Sequence, residues 1–182
     1  SRVAAWLSPL IAAAATLALT LGLGAAPLAS AAQPTPANNI VDVAIAVNSS
    51  GPYAGLFDTV IAAVVAADPA VLKRLTSKGQ STVFAPTDDA FAALGLNPEN
   101  IGDLPQSALT EILLYHVLTG RRDSNQVLAS TRLRTLQGGF LRQASATLTD
   151  NLGRPANIIV TDVPASNGII HAIDAVVLPF AP

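Results

Sequence analysis

The chain contains no cysteine, and aromatic residues make up only 4% of its 182 positions. Without cysteine there are no disulfides, no thiolate metal sites and no cysteine nucleophile, so stability rests on packing alone. Charge is scarce as well: charged residues account for 12% and the formal net charge is −2. A field that weak gathers neither nucleic acid nor anionic lipid. Histidine occurs twice, as His116 and His171. A metal would need both rings plus a carboxylate or water, and no H-E-x-x-H spacing is present. G-x-S-x-G, G-x-x-x-x-G-K-[ST] and G-x-G-x-x-G are also missing, which leaves nucleophilic hydrolysis and nucleotide cofactors without their usual cradles. The residues therefore predict a protein that is not an enzyme and holds no metal or cofactor.

What is present is apolar bulk, 51% of the chain, enough for one domain of ordinary size. It begins with an unusual segment. From Val3 to Ala32 there is no charged residue, and an apolar stretch from Leu10 to Leu23 gives way to glycine, proline and the small-residue run Ala29-Ser30-Ala31. This layout predicts a signal peptide over residues 1–31, cut after Ala31. An uncleaved anchor is the alternative, because about 20 apolar residues span a bilayer; the short apolar centre and small-residue flank favour cleavage, after which no membrane span remains. A Pro-, Gln- and Asn-rich linker follows over 32–38, and the folded domain is expected over 39–182.

The first half of that domain has helical periodicity. Asn39 is placed to cap a helix with Ile40, Val43, Ala44 and Val47 on one face. A stripe recurs from Leu56 to Ala67, and Asp68-Pro69 opens a third helix. The stretch STVFAPTDDAFAAL, residues 81–94, then passes from a β-branched and aromatic strand through Pro86 into a helix. Thr87 is its N-cap, Asp88 and Asp89 sit in the first turn where the helix dipole favours carboxylates, and Phe91 and Leu94 are expected to face inward. Paired carboxylates also serve as acid and base in hydrolases, but no second partner stands near; the pair reads as a structural joint. A helix from Pro105 carries Leu109, Ile112, Leu113, His116 and Val117, and residues 121–180 break into short alternating runs that read as strands. Helices first and strands later predict an α+β domain.

Two smaller features allow two readings each. Arg121, Arg122, Arg132, Arg134, Arg142 and Arg154 are either a patch for an acidic glycan or protein, or a strand face kept in solution; the interleaved Asp123, Asp150 and Asp162 favour the second. Asn48-Ser49-Ser50 fits a glycosylation sequon, which matters only in a eukaryotic secretory pathway.

Three blocks in order, STVFAPTDDAFAAL, then LLYHVL, then SNGIIHAIDAVVLP, resemble the signature segments of the fasciclin domain family over roughly residues 39–180. The resemblance implies a fasciclin-like α+β fold, a β-sandwich-like wedge packed against several helices. It also implies a secreted, periplasmic or surface-attached protein that acts in adhesion without catalysis. By the same resemblance, Tyr115 and His116, flanked by Ile112, Leu113, Val117 and Leu118, match a segment linked to integrin binding in animal matrix members. Asp162-Val163 occupies the place of a second such pair, with Val for the usual Ile. Tyr115, His116, Asp162 and Val163 are thus the candidate binding residues, toward a cell-surface or envelope protein or glycan. Integrin itself is not carried over, because the chain resembles a single-domain bacterial protein. An amphipathic helix bearing Leu, Tyr and His also reads as core. The resemblance supplies a second function as well: some fasciclin-like proteins hold carotenoids, so a carrier of an apolar small molecule or lipid stands as the alternative.

Overall fold

The computed structural model describes residues 38–180. The signal segment expected over 1–31, and all of the 32–38 linker except Asn38, lie outside them. Helix α1 (Ile40–Ser49) opens as its cap requires: Asn39 Oδ1 accepts the amides of Val41 and Asp42 at 2.9 and 3.2 Å, and the Asp42 carboxylate accepts from the Asn39 amide in return. Helices α2 (Asp58–Ala66) and α3 (Pro69–Thr76) follow, the latter capped by Asp68, whose Oδ1 accepts from the Ala70 amide at 2.8 Å. Strand β1 (Ser81–Pro86) leads into α4 (Asp88–Ala92), a 3-10 turn at Ile101–Asp103, α5 (Gln106–Tyr115) and β2 (Val117–Thr119). Then come α6 (Ser124–Leu128), β3 (Arg132–Arg134), β4 (Phe140–Ala144), β5 (Thr147–Thr149), β6 (Pro155–Ala165) and β7 (Gly168–Ile173).

The strands form one seven-stranded sheet in the order β2-β1-β7-β6-β5-β4-β3. All pairs are antiparallel except β1 with β7, which run parallel in the register Ser81–Gly168 to Pro86–Ile173. The sheet folds back on itself because β6 is long and shifts register between Ile158 and Val163, where such irregularities sharpen bend and twist. Its two ends meet: Leu118 bridges to Thr135, and the Leu136 amide donates to the Val117 carbonyl at 2.7 Å. The expected wedge is thus a single sheet joined along a seam. Phe84, Tyr115, Leu141, Leu148 and Ile173 fill its inside. A second core, built on Ala63, Val71, Leu75, Phe91, Leu109 and Leu113, holds α2 to α5 together, and α1 lies against β1, β6 and β7 through Ile40. The α+β class follows from these layers.

Several local expectations are corrected. Residues 121–180 are not all strand: α6 interrupts them, because Asp123 and Gln126 form a reciprocal capping box. Val117 belongs to β2 and not to the preceding helix, which ends as His116 takes the C-cap position. Leu56 lies ahead of α2, and Leu94 lies past α4 and is 37% exposed, whereas Phe91 is buried.

Candidate functional site

The acidic pair at residues 88 and 89 resolves first. Thr87 caps α4 through an Ala90 amide bond of 3.4 Å, and both aspartates occupy the first turn. Asp88, however, reaches across to another helix. Its Oδ1 accepts from the Thr59 amide at 2.7 Å and its Oδ2 from the Asp58 amide at 3.2 Å, while its own amide donates to Leu56 O at 2.8 Å. Phe57, at the N-cap of α2, has no side-chain acceptor to offer. Asp88 therefore supplies the cap that α2 lacks, and the joint binds two helices.

Tyr115 and His116 lie inside the molecule at 0% and 3% exposure, so neither is presented to a partner at the surface. Tyr115 donates its hydroxyl to Phe140 O at 2.7 Å, and burial raises its pKa. Its ring passes so close to Gly139 that a Cβ there would stand 2.9 Å from Tyr115 Cε2. His116 is held at both nitrogens: the Val177 amide donates to Nε2 at 3.2 Å, which places the proton on Nδ1, 2.7 Å from Ile112 O. Burial pushes its pKa down to about 4, the bond to Ile112 opposing. Its backbone carbonyl accepts from the Phe84 amide at 2.9 Å. The residue therefore ties α5, β1 and the C-terminal segment together.

His171, also fully buried, has the other tautomer. The Asp162 amide donates to Nδ1 at 3.2 Å, leaving Nε2 to donate to Arg122 O at 2.9 Å. Neither histidine has a nitrogen free to act as a base. Asp162 sits in the irregular stretch of β6 with φ 62°, a left-handed conformation that aspartate tolerates better than most residues. Its Oδ1 accepts from the Ser124 amide at the start of α6 at 2.8 Å. Burial raises its pKa, but the side-chain and amide bonds from Ser124 outweigh that and hold the carboxyl below the ordinary range. Val163 points elsewhere, into an apolar crevice beside α1. The four candidate residues thus form two separate groups, Tyr115 with His116 in the core and Asp162 with Val163 on β6.

Apolar crevices flank α1 on both sides. One, of about 30 Å³, is walled by Val47, Phe57, Val160, Val163 and Ile170; the other, of about 80 Å³, by Ile45, Val64, Leu72, Leu75 and Val83. No polar surface lines either one.

Asn167 was not singled out by the sequence reading although it lies within the third signature block. Buried at the β6–β7 turn, it accepts from the Ile40 amide at 2.8 Å and donates to the carbonyls of Leu75 and Ser77, both at 2.7 Å. Gly168 beside it has no room for a side chain, since a Cβ would collide with Ser81 O. The third block thus fastens α1, α3 and β1 at one point. The sequon residue Asn48 is likewise engaged: its Oδ1 accepts from the Phe57 amide at 2.8 Å and its Nδ2 donates to Asp58 at 2.7 Å.

A helix layer over a folded-back sheet, with the signature segments at its joints, defines an α+β module of the fasciclin type. The family model of the fasciclin domain matches residues 55–179, and the chain belongs to that family. It is 42% identical over 125 residues to Protein sll1483 of Synechocystis sp., a match that covers 68% of this chain and 67% of that protein. A second Synechocystis protein, sll1735, is 34% identical over 143 residues, covering 77% of this chain and 97% of its own length. Among solved structures, the FAS1 domain pair of the insect cell adhesion molecule fasciclin I is similar with a TM-score of 0.50 and 23% identity. That match covers 63% of this chain and 42% of the pair, a likeness of fold.

Proposed function

We propose that the chain is a non-catalytic interaction module that works outside the cytoplasm, adhering to a cell-surface or envelope protein or glycan. The observation that carries this reading is the internal use of both histidines within a fasciclin fold: the groups best suited to proton transfer are consumed in tying elements together. The adhesion role of the solved fasciclin I relative supports it by analogy. Among the described residues no helix is long and apolar enough to cross a membrane. Beads coated with the purified chain should be retained on cells or envelope fragments of its own host above albumin-coated controls. Equal retention of the two would reject the reading.

A carrier of an apolar small molecule is the second reading, favoured by the wholly apolar crevices beside α1. Their size places it behind the first. Pockets for whole small molecules run to about 300 Å³ or more, so a carotenoid would require α1 to lift off the sheet. A solvent extract of the natively purified protein, read by absorption and mass spectrometry, decides this: a stoichiometric lipophile would establish the carrier.

A further inference from the structure

Arg132, Arg134 and Arg142 differ from Arg121 and Arg154, whose guanidinium groups are already engaged. Arg121 uses Nη1 to hold the carbonyls of Ala165 and Gly168 at 2.9 and 2.7 Å, and Arg154 pairs with Asp150 at 2.8 Å. Strand β3, in contrast, presents Arg132 and Arg134 outward around buried Leu133, and β4 presents Arg142 on the same face, directly opposite Arg132 in the register. Like charges so placed destabilise a sheet. Arginine on an edge strand deters edge pairing, but β4 is an inner strand, paired on both sides, where that protection has no use.

The interleaved aspartates do not relieve the pair. Asp123 caps α6, Asp162 accepts from Ser124, and Asp150 is buried, taking bonds from the amides of Leu152, Arg154 and Leu178 as well as from the Arg154 side chain. Among the described residues the one ion pair is Arg154 with Asp150. Arg132 is also held in position, its guanidinium carbon 3.6 Å from the centre of the Phe140 ring. Arg132 and Arg142 border a cleft of about 360 Å³ whose other walls include Thr149, Asp150, Asn151 and Gly153, the Asp150 carboxylate being already paired with Arg154. That is room for a small ligand.

We infer that this cleft binds an anionic sugar unit, with its carboxylate or sulfate between Arg132 and Arg142 and its hydroxyls against Thr149 and Asn151. Two planar forks of N–H donors match an oxyanion bidentately, and hydroxyl and amide side chains exchange hydrogen bonds with sugar hydroxyls. The inference rests on the interaction-module reading and narrows its partner to an acidic saccharide.

Calorimetric titration of the full chain at low salt tests it, using oligogalacturonate for the carboxylate, a carrageenan-derived tetrasaccharide, which has sulfate and no carboxylate, for the sulfate, a neutral oligosaccharide of equal length and a glutamate pentapeptide. The expected result is saturable binding of one or both acidic saccharides, weakened about tenfold or more in R132A/R142A at a melting temperature no lower than the wild type's. Which acid binds identifies the source of the charge. R132K/R142K, which keeps the charge and loses the forks, should also bind more weakly. Equal binding of the peptide or of the neutral sugar overturns the inference, as does failure of both acidic saccharides. Bead retention separates the two levels: retention that survives R132A/R142A removes this site and leaves the module, whereas absence of retention in the wild type removes the module itself.

Discussion

His116 converts a packing fact into a pH dependence. Its folded pKa of about 4 lies below the ordinary value of 6.5, so between those limits the unfolded chain takes up a proton that the folded chain refuses. Stability is therefore fully present above pH 6.5 and declines as pH falls toward 4, by about 3 kcal/mol in all. Urea midpoints at pH 7.5, 5.5 and 4 should fall in that order, and the His116→Gln variant should show a shallower decline; an unmoved wild-type midpoint would contradict the assignment. Asn167 carries a different kind of weight. Replacement by alanine strands the Ile40 amide and two carbonyls at one buried point and should cost about 3 kcal/mol, read as a drop in melting temperature. Gly168→Ala should be at least as damaging, because the obstacle is the Ser81 backbone and not a mobile side chain.

Helix α2 takes its whole N-terminal cap from a distant residue. Asp88→Ala should remove the acceptors of the Asp58 and Thr59 amides and lower stability by about 1–2 kcal/mol. Faster hydrogen exchange at Thr59 would localise the loss, and unchanged exchange there would refute the capping role. The same case shows where sequence reading stops. Helices α1 and α3 and strand β1 were legible because Asn39, Asp68 and Pro86 act on their own neighbours. The cap of α2 was not legible, since its acceptor comes from 30 residues away. Helix α6 was missed for another reason: its capping box lay in a region whose alternation of apolar and polar residues was read as strand. The inward role of both histidines could be weighed from their apolar neighbours. The facing of Arg132 and Arg142 could not, because spacing along the chain does not reveal the β3–β4 register.

The folded-back sheet makes a prediction for the molecule as a whole. If the seam between β2 and β3 is as continuous as the Leu136–Val117 bond implies, the Leu136 amide should exchange about as slowly as that of Phe84 in β1. Rapid exchange at Leu136 alone would mean an open edge. The placement of β7 has a further consequence, for the order of events in time. It is the last of the described strands yet lies inside the sheet, between β1 and β6, and the bond from neighbouring Asn167 to Leu75 spans 92 residues. Contacts that distant must close a long loop before they return any stabilisation, which makes folding slow. A chain emerging from its N-terminus has its helices early, but it lacks the latch that fastens them until Asn167 and Gly168 arrive.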